Sequence, residues 1–282
     1  MKKIGFVDLY IAEWHANQYP GWIKQISEEM GLDYQVCYAY AEEYQSPLYP
    51  ENTDQWCEKY NVEKCETIKE LCEKSDNIII LAPSNPESHL RLASEVFKYA
   101  GGKRIYIDKT FAPDYATAAE IYRLAEEQNI KFFSTSALRY GEEIQGLENV
   151  TKVYTRGNGS NMEEYIIHQV EMIVKILGVG ATEVCAEVND PEEYICHVKY
   201  NDERVARVRW CKDGFLVTAT KEDGSVYETK VASAFFMKLM AKILNFFETG
   251  EIDFTKEQTL EVMKLREKII EAKGKLGEWI KL

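Results

Sequence analysis

The chain has 282 residues, 45% of them hydrophobic, which is enough for one large domain or two ordinary ones with substantial cores. Its formal net charge of -13 argues against nucleic acid or an anionic membrane surface as a partner, because both would repel it. No apolar run approaches the roughly 20 residues that a membrane helix needs, so a small molecule or another protein is the expected partner.

The first half of the chain alternates strand and helix patterns. The predicted strands cover residues 3–7, 33–40, 77–82, 104–108 and 130–133, and the predicted helices cover 14–30, 54–60, 67–74, 87–100 and 114–128. Asp114 is a suitable N-cap for the last of these helices. This alternation predicts an α/β domain over residues 1–134, with a Rossmann-type doubly wound parallel sheet.

The pattern changes after Arg139-Tyr140-Gly141. A strand at 150–156 and a helix at 163–177 precede five strand-like segments, at 182–188, 194–200, 204–211, 215–221 and 225–230, and two helices close the chain, at 232–248 and 256–273. Turn signals such as Asp213-Gly214 predict antiparallel hairpins between the strands. We therefore predict an α+β domain over residues 135–282, with a largely antiparallel open-faced sheet, for substrate binding and oligomerisation.

The seven cysteines are odd in number and form no C-x-x-C pair. This argues against a disulfide framework and against a zinc site, and we expect no metal ion. Residues 1–8 lead directly into a strand without a signal-peptide pattern, so a cytoplasmic protein with reduced thiols is predicted.

Lys109 follows the strand at 104–108, and ligands in open parallel sheets bind beyond the carboxyl ends of the strands. A lysine in that place is commonly a solvated loop residue. Here its surroundings resemble the glucose-fructose oxidoreductase and inositol dehydrogenase family (Gfo/Idh/MocA). The resemblance is carried by Pro83 and His89 after an apolar strand, Ala100-Gly101-Gly102 at a helix end, Asp108-Lys109-Thr110, and the closing segments 246–254 and 258–263.

The resemblance also implies a set of site residues. Glu164 and His168 are four residues apart on the first helix of the second domain, where family members carry D-x-x-x-H. His168 would be the acid or base on the substrate hydroxyl, Lys109 its helper and Glu164 the carboxylate that orients them. Without the resemblance, Glu164 and His168 would be a surface pair. His89 either shapes the cofactor end of the crevice or bonds a nearby carbonyl at a helix start.

The first loop departs from the family. A dinucleotide fold needs G-x-G-x-x-G or A, because only glycine lets the backbone approach the pyrophosphate at the helix amino end. In this chain Asp8 and Tyr10 take the first two glycine places in one alignment, and in the other only Ala12 fits. We expect Asp8 to repel phosphate and NAD to bind weakly.

If a cofactor binds, the expected contacts are Asp8, Tyr10, Ala12, Pro83, His89 and Lys109. The second strand ends at Glu42 and Glu43 without an arginine for a 2′-phosphate, which favours NAD over NADP.

Two functions follow from these patterns. The first is an NAD(P)-dependent oxidoreductase that acts on a hydroxyl or ketone of a sugar, an inositol or a related polyol. The alternative is a family relative that has lost tight dinucleotide binding and works as a ligand-binding or regulatory protein, or by cofactor-independent acid–base chemistry. We expect a homodimer or homotetramer formed through the open sheet face, with Tyr194, Val198 and Val208 among its apolar residues.

Overall fold

The computed structural model describes residues 1–282 and divides into two compact units. Unit 1 comprises Met1–Thr135 and Met237–Asp253, and unit 2 comprises Ser136–Phe236 and Phe254–Leu282. The predicted boundary after residue 134 lies one residue before the point where the chain first passes from unit 1 to unit 2, between Thr135 and Ser136. The segment Met237–Asp253, which the sequence places in the second domain, instead groups with unit 1.

Unit 1 contains a parallel sheet of six strands in the order β3-β2-β1-β4-β5-β6. The strands are β1 (Lys2–Asp8), β2 (Tyr34–Ala41), β3 (Glu63–Lys64), β4 (Asn77–Ile80), β5 (Arg104–Ile107) and β6 (Lys131–Phe133). The chain reverses direction across the sheet between β1 and β4, so the carboxyl ends of these two strands mark the topological switch point. The predicted Rossmann-type doubly wound sheet is confirmed.

The helices of unit 1 begin and end where the sequence signals them. They are α1 (Trp14–Glu29), α2 (Thr53–Tyr60), α3 (Ile68–Lys74), α4 (His89–Tyr99), α5 (Tyr115–Glu127) and α7 (Phe235–Thr249). The Asp114 side chain caps α5 by accepting the Thr117 N–H at 2.7 Å. Helix α7 is continuous with the core of unit 1, since the Phe246 ring meets Phe133 edge-on at 5.1 Å.

Unit 2 contains a mixed sheet of seven strands in the order β12-β11-β7-β10-β9-β8-β13. The strands are β7 (Val150–Gly157), β8 (Ala181–Asn189), β9 (Tyr194–Tyr200), β10 (Val205–Trp210), β11 (Leu216–Lys221), β12 (Val226–Lys230) and β13 (Ile280–Lys281), and the helices are α6 (Met162–Leu177) and α8 (Lys256–Ala272). All neighbours are antiparallel except β7 and β10. The hairpin predicted at Asp213-Gly214 is wrong, because β7 lies between β10 and β11.

One face of this sheet is covered by helices and the other is polar. Val198, Val208 and Tyr194 are buried, and the Tyr194 hydroxyl donates to the Ile269 carbonyl of α8 at 2.5 Å. These three residues therefore belong to the covered face and not to the open one. Ile195 and Val205, which were also expected on the open face, do lie there and are half-buried, and assembly through that face stays a prediction. The other face carries charged pairs such as Arg156–Glu228, Arg209–Glu193 and His197–Glu187.

All seven cysteines are free thiols. None of the helices combines the length and apolar character that crossing a membrane requires.

Candidate active site

A buried polar cluster occupies the carboxyl edge of the unit 1 sheet. Asp8 is the last residue of β1, and Asp108 directly follows β5. Both carboxyl groups are completely buried. Buried carboxyl groups need partners inside the protein, so the contacts around these two residues define what this edge of the sheet can bind.

Asp108 is the centre of one half of the cluster. Its carboxylate bonds the His15 imidazole of α1, and the Tyr19 and Tyr106 hydroxyls each lie 3.3 Å from Oδ1. Burial by itself would raise the pKa of Asp108, but His15 and then Lys109 more than offset this and hold that pKa below its usual value. The Asp108–His15 pair therefore fixes the start of α1 against the end of β5.

Lys109 lies immediately beyond β5, as predicted, and only 7% of its surface is exposed. Its backbone N–H donates to Asp108 Oδ1 at 2.8 Å, which fixes the main chain that carries the side chain. The solvated-loop alternative for Lys109 is therefore wrong. Its proposed catalytic role stays a prediction.

One oxygen of the Asp8 carboxyl group is bonded to the backbone at the ends of two strands. Its Oδ1 accepts the backbone N–H of Leu9 at 2.7 Å and that of Ala82, just past β4, at 3.0 Å. Burial, with Glu13 nearby, raises the pKa of Asp8 well above its usual value. Asp8 thus joins the ends of β1 and β4 across the switch point. Its burial disfavours the ionised carboxylate, which is the form that was expected to repel phosphate.

Glu13 caps the first helix. Its carboxylate accepts the His15 N–H at 2.8 Å and the Ala16 N–H, and the residue is 3% exposed. These amides belong to the first turn of α1, where a dinucleotide fold places the pyrophosphate. Sequence inspection missed Glu13 because glutamate is not among the preferred N-cap residues.

The residues present do not fit a pyrophosphate at this helix start. Glu13 already satisfies the amides that would face it, and Asp8 holds the loop at its other end. Ala12, in the last glycine place, is 2% exposed, and its carbonyl accepts the Ser46 hydroxyl at 2.5 Å. The start of α1 therefore leaves neither the His15 nor the Ala16 amide for a pyrophosphate.

The remaining predicted cofactor contacts are also engaged within unit 1. The Tyr10 hydroxyl donates to Asn85 Oδ1 at 2.8 Å, and Pro83 is buried. His89 is completely buried, with Nδ1 3.0 Å from the Phe111 carbonyl and Nε2 at the Leu81 carbonyl. This is the geometry of the structural alternative for His89, and burial lowers its pKa.

The sequence suggested that no arginine lies at the end of β2, but the structure places one there. Arg91 of α4 pairs with Glu42, which lies one residue past β2. The two residues are distant in sequence, so local inspection of the strand end could not find this pair. The absence of arginine from the strand-end sequence therefore no longer separates NAD from NADP.

His168 lies on α6 in unit 2 and is held by a hydroxyl. Its Nδ1 is 2.7 Å from Ser136 Oγ, and its ring lies 5.5 Å from those of Tyr165 and Phe215. Glu164, predicted to orient it, lies in the first turn of α6, where its carboxylate accepts the Asn161 side-chain amide at 3.0 Å. Ser136, which sequence inspection missed, is thus a hydrogen-bond partner of the imidazole, and the orienting role of Glu164 stays a prediction.

A buried ion pair supports Ser136. Arg139 Nη1 lies 2.6 Å from Glu171 Oε1, with both side chains almost fully buried. The other Glu171 oxygen accepts the Ser136 N–H at 3.4 Å, and Arg139 also bonds the Gln258 side chain. The segment that follows β6 is therefore fixed to α6 and α8 beside His168.

Comparison with known proteins supports the fold. Neither a family model nor a curated protein matches the chain. Among solved structures, the NAD complex of GenD2 from gentamicin A biosynthesis has a TM-score of 0.78 at 10% identity, covering 100% of this chain and 97% of that one. Apo scyllo-inositol dehydrogenase from Lactobacillus casei gives 0.77 at 13% identity, covering 99% and 98%.

The chain has the fold of these proteins. The same Lactobacillus casei enzyme with bound NAD(H) and scyllo-inositol gives a TM-score of 0.74 at 14% identity, covering 99% of this chain and 98% of that one. The agreement runs over nearly the whole of each chain, so it includes both the parallel sheet and the mixed sheet.

Proposed function

We propose that this protein is an oxidoreductase of the Gfo/Idh/MocA type that acts on a hydroxyl or ketone of a sugar, an inositol or a related polyol. The observation that carries the proposal is the placement of Lys109, which is buried just beyond β5 at the carboxyl edge of a parallel sheet. The likeness in fold to dehydrogenases, one of them an inositol dehydrogenase, supports the same class.

In this proposal Lys109 handles the proton of the reacting oxygen, and the role of His168 as acid or base stays the prediction made from its place on α6. A lysine ammonium can donate to that oxygen, and an imidazole can exchange a proton near neutral pH. Ser136 positions His168 through the 2.7 Å contact with Nδ1, and the orienting role of Glu164 stays a prediction. A nicotinamide cofactor, when bound, would supply the hydride acceptor, and NAD or NADP would be held without the usual pyrophosphate contacts.

The second candidate is a protein that binds or transforms a polyol without a dinucleotide. The carboxylate of Glu13 at the start of α1 is the specific observation that favours it. The two candidates share a substrate class and differ in whether electrons leave the substrate.

Thermal unfolding with NAD, NADP and a panel of inositols and sugars tests the substrate class, because a ligand that binds only the folded state raises the unfolding temperature. Any polyol that does so is then tested for reduction of NAD or NADP. Lys109→Met keeps most of the side-chain volume and removes the amine. Lys24→Met, at an exposed lysine of α1, makes the same change away from the candidate site.

The oxidoreductase proposal expects polyol-dependent reduction of the nucleotide that falls about 100-fold or more in Lys109→Met and is kept in Lys24→Met. Stabilisation by a polyol with no nucleotide reduction would reject it in favour of the second candidate. Equal turnover in both variants would remove Lys109 from the mechanism.

A further inference from the structure

The carboxylate of Glu13 lies where the fold offers its strongest anion site. Parallel sheets bind ligands at the switch point, and the first helix after β1 presents N–H groups and the positive end of its dipole there. Helix α1 has 16 residues, so its dipole is fully developed. In a dinucleotide-binding protein of this fold those amides meet the pyrophosphate.

In this chain the amides meet an internal group. Glu13 has extended backbone, with φ -145° and ψ 173°, and its two carboxylate oxygens accept the N–H groups of His15 and Ala16. Because the residue is 3% exposed, this carboxylate is part of the interior and is not a surface cap.

Neighbouring contacts keep the glutamate in place. Its own N–H donates to the Ile11 carbonyl at 2.9 Å, which closes the loop before the helix. The Ala12 carbonyl accepts from Ser46, and Asp8 accepts the Leu9 and Ala82 amides at the start of the loop. The N–H groups of Leu9, His15 and Ala16 and the Ala12 carbonyl are therefore bonded within the protein.

We propose that Glu13 is a built-in replacement for the dinucleotide pyrophosphate, so that this protein folds with its anion site already filled and does not hold NAD through the start of α1. The inference concerns the cofactor of the proposed oxidoreductase, but it rests on unit 1 alone and stands whether or not a polyol is turned over.

Calorimetric titration with inorganic pyrophosphate and with NAD tests the proposal in three proteins. Glu13→Ala frees the His15 and Ala16 amides. Glu28→Ala removes one negative charge from an exposed position on the same helix and is the matched control. We expect Glu13→Ala to bind pyrophosphate and NAD on the order of tenfold more tightly than the parent, and Glu28→Ala to match the parent.

Binding of either probe by the parent as tightly as by Glu13→Ala would overturn the proposal, as would an equal gain in Glu28→Ala. If Glu13→Ala does not fold, Glu13→Ser takes its place, since its hydroxyl can cap the helix while the charge and most of the side chain are removed. The same tenfold criterion then applies. Polyol stabilisation of the parent is measured separately, so failure of this inference is distinguishable from failure of the proposed function.

Discussion

Asp8 offers a direct test of how the switch point is held together. In Asp8→Ala the N–H groups of Leu9 and Ala82 lose their shared acceptor. A buried N–H without a partner costs about 1–3 kcal/mol, and Leu9 is only half-buried, so we expect a loss of about 2–4 kcal/mol in the free energy of unfolding. Asp8→Asn keeps the accepting oxygen and should cost less than about 1 kcal/mol.

The two variants should also differ in their pH dependence. Since the folded protein raises the pKa of Asp8 above that of an unfolded chain, its contribution to stability is complete below the unfolded pKa and is lost as pH rises through the folded pKa. Asp8→Asn cannot ionise, so its free energy of unfolding should increase relative to that of the parent as pH rises. A carboxylate that is ionised in the folded state would give the opposite pH dependence of stability.

Urea unfolding at pH 5 and pH 8, followed by tryptophan fluorescence, measures both effects. Trp56 belongs to unit 1 and is 1% exposed, so its emission changes when this unit unfolds. The reasoning is refuted if Asp8→Asn lowers the free energy of unfolding as much as Asp8→Ala does. It is also refuted if the parent becomes more stable relative to Asp8→Asn between pH 5 and pH 8.

Three further predictions concern the other buried contacts. Ser136→Ala should lower turnover about 10-fold and shift the pH profile while binding of substrate changes little, because the hydroxyl orients the His168 ring; steady-state kinetics against pH checks this. Glu171→Ala leaves Arg139 buried without its partner and should cost about 3–5 kcal/mol in urea unfolding, and a small loss would contradict the importance of the pair. The folded protein lowers the pKa of Asp108, so its contribution to stability is present above the unfolded pKa and is lost as pH falls through the folded pKa. The advantage of the parent over Asp108→Asn in urea unfolding should therefore shrink as pH falls below the unfolded pKa of about 3.9.

The fold could be predicted from the sequence because its signals are local. Alternating apolar runs and helix patterns give the order of β1 to β6, and Gly178, with φ 73°, ends α6 where the pattern stops. The pairing of β7 with β10 and β11 could not be predicted, since turn residues such as Asp213-Gly214 report a change of direction but not which strand lies alongside.

The site was predictable only in part, for the same reason. Lys109 follows a strand, so its place at the sheet edge follows from the sequence, whereas its burial does not. The contacts that decide what the edge can bind join residues far apart in sequence, such as His15 with Asp108 and Ser136 with His168. Asp8 looked like a charge in a loop because the sequence does not show that its carboxyl group turns inward to Ala82.

The position of helix α7 affects how the chain can fold during synthesis. Unit 1 needs Met237–Asp253 to complete its core, yet the ribosome makes all of residues 136–236 first. Until then the surface that receives Phe246, including the ring of Phe133, has no cover. Unit 1 can therefore mature only after most of unit 2 has emerged, and a fragment ending at residue 135 would expose an aromatic patch that favours aggregation.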